Sequence, residues 1–161
     1  MATGLLFECD EFVAQWLYKQ MGWPDYKYDR AVGLVNEKGQ LIGAVIYQHW
    51  NGCNVEVSYY GKRTMSAGII RTLARFTLIA FNPGRITVNT SKKNKRFIRS
   101  LHRFGFRLEG ACKCYYGIED SNRNTAIRFV GFRDDIARVA KLRDTEDADV
   151  TASASNDPVD E

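Results

Sequence analysis

Three short β-rich runs held apart by two tight breaks constrain this chain more than any other feature. The runs lie within "RAVGLVNEKGQLIGAVIYQHW" and "NVEVSYYG", and the breaks are Asn36-Glu37-Lys38-Gly39 and Asn51-Gly52. Asn and Gly tolerate the left-handed backbone that short β connections need, so both breaks predict hairpins and the runs predict an antiparallel meander. A different period follows. Ile69, Ile70, Leu73, Phe76 and Ala80 recur at helical spacing, which predicts a helix over Thr64 to Phe81, capped by Thr64 or Ser66 and ended by Asn82-Pro83-Gly84. "RITVNT" then reads as a short buried strand. Strand, helix and strand within one sheet form a right-handed crossover, so "NVEVSYYG" and "RITVNT" are expected to run parallel.

The remaining segments fit the same scheme. Phe12, Val13, Trp16, Leu17 and Met21 mark a first helix over Asp10 to Met21, with Asp10 as its cap and Gly22-Trp23-Pro24 as its stop. "FRLEGACKCYYG" and "TAIRFVGF" predict a last pair of strands, and Ile136, Val139 and Ala140 a short closing helix. Cys112 and Cys114 would share one face of a strand, which favours neither a disulfide nor a zinc site. The expected fold class is α+β: a mixed central sheet, mostly antiparallel, with one parallel crossover and helices on both faces. A ligand would favour the crossover. There a strand feeds a helix whose first N–H groups and dipole bind phosphate without a charged side chain.

Charge is distributed unevenly along the 161 residues. After Arg143 come seven acids (Asp144, Glu146, Asp147, Asp149, Asp157, Asp160, Glu161) and no base, among small polar residues. Such a stretch buries too little apolar surface to offset ordering entropy, so residues 144–161 are expected to form a disordered acidic tail and residues 1–143 a single domain. That division leaves the domain 12 acids against all 23 bases, a formal charge of +11. A body this basic attracts phosphates, on nucleic acid or on a phosphorylated cofactor. No apolar run approaches the ~20 residues of a membrane span, and the start lacks the pattern of an export signal, so a soluble, cytoplasmic protein without a membrane partner is expected.

"NKRFIRSLHRFGFRLEG" brings the competing readings together. Lys95, Arg96, Arg99, Arg103 and Arg107 suggest a nucleic-acid-binding helix, while Phe97, Ile98, Leu101 and Phe104 suggest a helix packed on a core. No DNA- or RNA-binding motif accompanies the charge. The order of elements, the turn "GKRTMSAG" and "NKRFIRSLHRFGF" resemble the GNAT superfamily of N-acyltransferases, in particular its phage-encoded members. In that family an Asn opens the last long helix and a Gly-Phe pair closes it eleven residues later, as Asn94 and Gly105-Phe106 do here. The resemblance covers residues 40 to 133.

What the resemblance implies is an N-acetyltransferase that moves an acetyl group from acetyl-CoA to an amine, in a bacterial host cytoplasm. It places the pyrophosphate of the cofactor at Arg63, Thr64, Ser66, Ala67 and Gly68. The family pattern there is Arg or Gln, two residues, Gly, one residue, then Gly or Ala, so Ser66 departs from it. It places the pantetheine arm against Asn94 and Phe97, and the thioester carbonyl at backbone N–H groups around Val57 to Tyr59. Arg71 and Arg75, on the polar side of the long helix, would either reach the 3′-phosphate of CoA or simply solvate the surface. Glu56 is the candidate general base. Many members place a Tyr where this chain has Leu101, which leaves Ser100, His102 and Tyr59 as candidate acids. Tyr115 and Tyr116 stand where an acceptor-binding hairpin would be. A protein amine suits the basic body and acidic tail as acceptor. The alternative is a non-catalytic GNAT-fold phage protein, such as a virion component or an inhibitor of a host factor.

Overall fold

In the computed structural model the described residues are 2–22, 27–61 and 65–141. The chain order is β1 (Gly4–Leu6), α1 (Asp10–Met21), β2 (Arg30–Val35), β3 (Leu41–Gln48), β4 (Asn54–Gly61), α2 (Ala67–Phe81), β5 (Arg85–Ser91), α3 (Lys95–Arg103), β6 (Arg107–Cys112), β7 (Ala126–Phe132) and α4 (Arg133–Ala140). The strands form one seven-stranded sheet in the order β1-β2-β3-β4-β5-β7-β6. β4 and β5 are its one parallel pair, and the other neighbours are antiparallel. The α+β class, the meander and the crossover are therefore as the sequence predicts. The acidic tail from Asp144 onward lies outside the described residues.

Both hairpin turns are built by asparagine. The Asn36 carboxamide oxygen accepts from the N–H groups of Lys38 and Gln40, and that of Asn51 from Cys53 and Asn54. These short side chains replace ladder bonds that the chain gives up as it reverses. The Asn51 turn also sets the register of β3 against β4, in which Gln48 faces Glu56 and Gly43 faces Gly61.

Strand alternation then sorts side chains to two faces. On one, Val32, Leu34, Val45, Tyr47, Val55 and Ile86 pack with Ile69 and Leu73 of α2 and Ile136 and Ala140 of α4. Val88, Phe129 and Leu101 continue that face beneath α3. On the other, Ala31, Ala44 and Ile46 meet Val13 and Leu17 of α1. Helix α1 packs mainly on β2 and β3, with Tyr60 at the end of β4 at its margin, so among the described residues no helix packs closely over the β5, β7 and β6 half of this second face.

Four local expectations are corrected. Asp10 does not cap α1; Cys9 holds that position, and the Asp10 carboxylate accepts from Arg30 Nε at 2.9 Å and Ala31 N at 2.7 Å. It fastens the helix to β2 instead. Ala80 is exposed, because the inward stripe of α2 runs through Ile69, Leu73, Thr77 and Leu78. Cys114 adopts a positive φ of 52° after β6 has ended, so it shares no strand face with Cys112. Strand β1 is a three-residue edge strand against β2 that the sequence reading lacks.

Tyr47 is the largest fully buried side chain and stands beneath α2. Its hydroxyl shares a 3.1 Å hydrogen bond with that of Thr77, which also donates to the Leu73 carbonyl at 2.7 Å. Burial pushes the Tyr47 phenol well above the usual tyrosine range, so it stays neutral. Thr77→Val, which keeps the shape and removes this partner, is expected to cost about 1–3 kcal/mol in denaturant unfolding with an unchanged slope.

Candidate active site at the parting of two strands

Parallel pairing between β4 and β5 runs from Asn54 and Arg85 to Val57 and Val88, and stops there. Both strands continue. β4 goes on to Gly61 paired with β3, and β5 goes on to Ser91 paired with β7. The sheet therefore opens as a V, and beyond Val57 β4 no longer pairs with β5. An extended chain carrying amides can enter such an opening and bond to β4 as a strand would.

One wall of the opening is apolar. Val57, Tyr59, Met65, Val88, Phe97, Leu101 and Phe106, with residues of α2 and α4, line a cavity of about 100 Å³ beneath α2 and α3. The rings of Tyr59 and Phe97 lie 6.3 Å apart at its edge. Tyr59 itself rests over two facing glycines, and a Cβ on Gly61 would fall 2.3 Å from its hydroxyl. Leu101 is buried here, where the resemblance would put a Tyr. A leucine contributes packing and no proton.

Helix N-termini frame the mouth. Ser66 is the N-cap of α2 and its Oγ accepts from Ile69 N at 3.3 Å. Ala67 and Gly68 in the first turn are exposed, and their N–H groups face outward as the free donors of that helix end. Asn94 caps α3, accepting from Phe97 N at 3.2 Å, and Gly105 ends the following turn with φ at 83°. Arg63 and Thr64 lie outside the described residues. Arg75 does not face a phosphate position; its Nε donates to the Ala140 carbonyl at 3.0 Å and binds α2 to α4. Arg71 lines a basic cleft with His102, Arg103, Arg138 and Lys141.

The candidate acids and base separate by face. Ser100 donates to the Arg96 carbonyl one turn back at 3.1 Å and is not part of the cavity wall. His102 is exposed, its ring edge-on to Phe129 at 5.0 Å. Glu56 lies across the sheet from the cavity, by strand alternation, on the face that α1 leaves open. Its carboxylate is largely buried, at 21% exposure, and meets His49 Nδ1 at 3.3 Å. Beside it Gln48 is buried, and its Oε1 has no hydrogen-bond partner among the described residues. A carboxylate and an unpaired carbonyl oxygen offer only acceptors, which suits a group with N–H bonds to give. Gln48 is the residue that sequence reasoning missed; only the register with Glu56 shows it.

The same face continues over β5 and β7. Asn89, the first β5 residue past the ladder, accepts from Arg128 Nε at 3.1 Å and donates to the Tyr115 hydroxyl at 3.3 Å. Tyr115 and Tyr116 stack edge to face at 4.9 Å. Burial, with Tyr115 and Cys112 nearby, pushes the Tyr116 phenol up to about 12, so it remains a neutral donor.

This arrangement can be compared with known proteins. The spermidine/spermine N-acetyltransferase SpeG from Vibrio cholerae, solved with manganese ions, superposes with a TM-score of 0.58 over 80% of this chain and 77% of its own, at 14% identity. A chimera of that V. cholerae enzyme and hSSAT gives a TM-score of 0.58, with 77% and 78% of the two chains covered and 14% identity. The fold is that of the GNAT N-acyltransferases. No family model and no curated protein sequence matches the chain. No described helix is long and apolar enough to cross a membrane, and no cluster of metal-binding side chains occurs among the described residues.

If Ser66 serves as the cap its geometry indicates, Ser66→Ala is expected to lower stability by about 1 kcal/mol and Ser66→Gly by only a few tenths. Thermal or chemical unfolding of the two variants checks this.

Proposed function

We propose that the protein is an N-acetyltransferase that moves an acetyl group from acetyl-CoA to an amine. The observation that carries the reading is the V between β4 and β5, where their ladder ends at Val57 and Val88, with an apolar wall and a capped helix N-terminus at its mouth. Those features fit acetyl-CoA part by part. Val57 and Tyr59 with Phe97 take the pantetheine arm, and Ser66, Ala67 and Gly68, together with Arg63 and Thr64 just before them in sequence, take the pyrophosphate. Asn94 acts through its cap, which holds Phe97 in place.

When bound, acetyl-CoA supplies an acetyl group activated as a thioester. The chain supplies the rest. Glu56 takes a proton from the incoming ammonium, directly or through a water, and leaves the amine free to form the new C–N bond. Gln48 Oε1 accepts from the same nitrogen. Backbone N–H groups of β4 at the parting hydrogen-bond the carbonyl oxygen as it gains charge. The C–S bond breaks, and the thiolate leaves without a proton from α3, since Leu101 has none and Ser100 is turned into its own helix. Coenzyme A is a good enough leaving group to take that proton from solvent. A protein amine as acceptor, in a host cell, is supported by the basic body and the acidic residues after Arg143.

A second reading rests on the same two departures. Leu101 at the cavity and Ser66 spent on its cap would suit a phage protein that kept the fold as a scaffold, in the virion or on a host factor. Acetyl-CoA at ~100 times its dissociation constant is expected to stabilise the folded state by about 2.7 kcal/mol, read as a thermal shift. No shift with acetyl-CoA or CoA would favour the scaffold, and oligonucleotide binding with a steep salt slope instead would favour a nucleic-acid partner. Glu56→Gln is expected to lower turnover about a hundredfold and leave the acetyl-CoA shift unchanged; unaltered turnover would remove Glu56 as base.

A further inference from the structure

The charges on the open sheet face do not balance, and the imbalance points to the acceptor. Arg85 is matched by Glu109 at 3.0 Å, Lys113 by Asp120 at 2.7 Å, and Glu56 meets His49. Arg128 is half-buried, and among the described residues its one side-chain hydrogen bond joins Nε to the Asn89 carboxamide. No carboxylate among the described residues pairs with it. A guanidinium held by Nε presents its two terminal nitrogens together, in the geometry that grips a carboxylate with two parallel bonds.

Its position is as telling as its charge. Asn89, which orients it, is the first β5 residue beyond the last β4 contact, so Arg128 stands at the lip of the opening. Glu56 faces Thr87, two residues before Asn89, on the same side of the sheet. Strand spacing and rise put the Cα atoms of Glu56 and Arg128 about 12 Å apart, with both side chains rooted in one open face. On the far side of Arg128 its cross-strand partner is Gly110, where an added Cβ would meet nothing within 4 Å. Open space thus adjoins the cation. Tyr115 of the hairpin after β6 bonds the other end of Asn89 and holds the relay in place.

We infer that the acceptor is an amine that carries a carboxylate a few bonds away, with Arg128 as the group that binds the carboxylate and Glu56 as the group that receives the amine. This rests on the acetyltransferase reading above. Two sources share the chemistry: a free amino acid, or a peptide amine beside an acidic residue. A polycation such as spermidine, the substrate named for the V. cholerae enzyme, would meet an unmatched positive charge where it needs an anion.

The test compares acceptors that differ only in that charge, namely an amino acid with its amide, and a lysine peptide flanked by Asp with one flanked by Asn. Spermidine is the third arm. The carboxylate form of one pair is expected to be favoured by about tenfold or more in kcat/KM, through KM, and the pair that shows it identifies the source. Arg128→Gln should erase the preference, and Arg128→Lys should keep part of it, while the acetyl-CoA thermal shift stays as in the parent. Equal rates within both pairs, a preference that survives Arg128→Gln, or spermidine as the best acceptor would overturn the inference. Calorimetry of an N-acetylated amino acid and its amide, with CoA present, reads the same contact without turnover. Binding that depends on both the carboxylate and Arg128 supports the site even if no amine is acetylated, and indifference to either overturns it. Absence of any acetyl-CoA shift would instead count against the acetyltransferase reading.

Discussion

Everything in this molecule is arranged around the point where β4 and β5 stop pairing. A continuous ladder would satisfy the backbone of both strands and leave no room between them. Because β5 stays with β7 and β4 with β3 while their own ladder ends at Val57 and Val88, the sheet opens inside the protein rather than at its edge. Unpaired strand groups at an edge invite nonspecific association; here the flanking strands and α3 restrict what can reach them. The apolar wall of Tyr59, Phe97 and Leu101 keeps water from competing for those groups. The same wall explains how the fold tolerates the opening, since Val88, Leu101 and Phe129 form a packed cluster immediately behind it.

Strand alternation does the second part of the work. Along β4, Val55, Val57 and Tyr59 face α2 and α3, whereas Glu56, Ser58 and Tyr60 face the other side. A donor arm lying against the apolar face and an acceptor approaching from the polar face meet only in the gap. Under the proposed function, proton removal and acyl delivery are thus separated by the thickness of one sheet. A shift of a single residue in the β3–β4 register would exchange these roles, and the Asn51 side chain, bonded to two N–H groups of the turn, holds against that.

Much of this was legible in the residues, for identifiable reasons. The meander could be read because its breaks carry Asn and Gly, and α1 because its apolar spacing ends at Gly22. The spacing from Asn94 to Gly105 marked α3 through its cap and its closing turn. What escaped reading depended on contacts distant in sequence. Strand β1 is too short to show a period. Asp10 looked like a cap because nothing local reveals that Arg30 and the Ala31 N–H are its partners. Arg75 looked like a phosphate ligand because its acceptor, the Ala140 carbonyl, lies 65 positions away. Gln48 and Arg128 sat unnoticed in apolar strands, since their meaning arises only when four strands are placed side by side.

Leu101 is the departure that best shows how far chemistry can be inferred from packing. A tyrosine at that point would bring a hydroxyl into a cavity whose other walls are apolar, and that hydroxyl would need a partner whenever the cavity was empty. Leucine removes that cost and joins Val88 and Phe129 in the cluster behind the opening. The gain falls on the folded protein at all times, whereas a protonating group helps only if departure of the thiolate limits the rate. Under the proposed function, Glu56 frees the amine and β4 holds the carbonyl, and neither role calls on a group at position 101. On that argument Leu101 is compatible with turnover, and under the proposed function the weight of catalysis shifts to the polar face that carries Glu56 and Gln48.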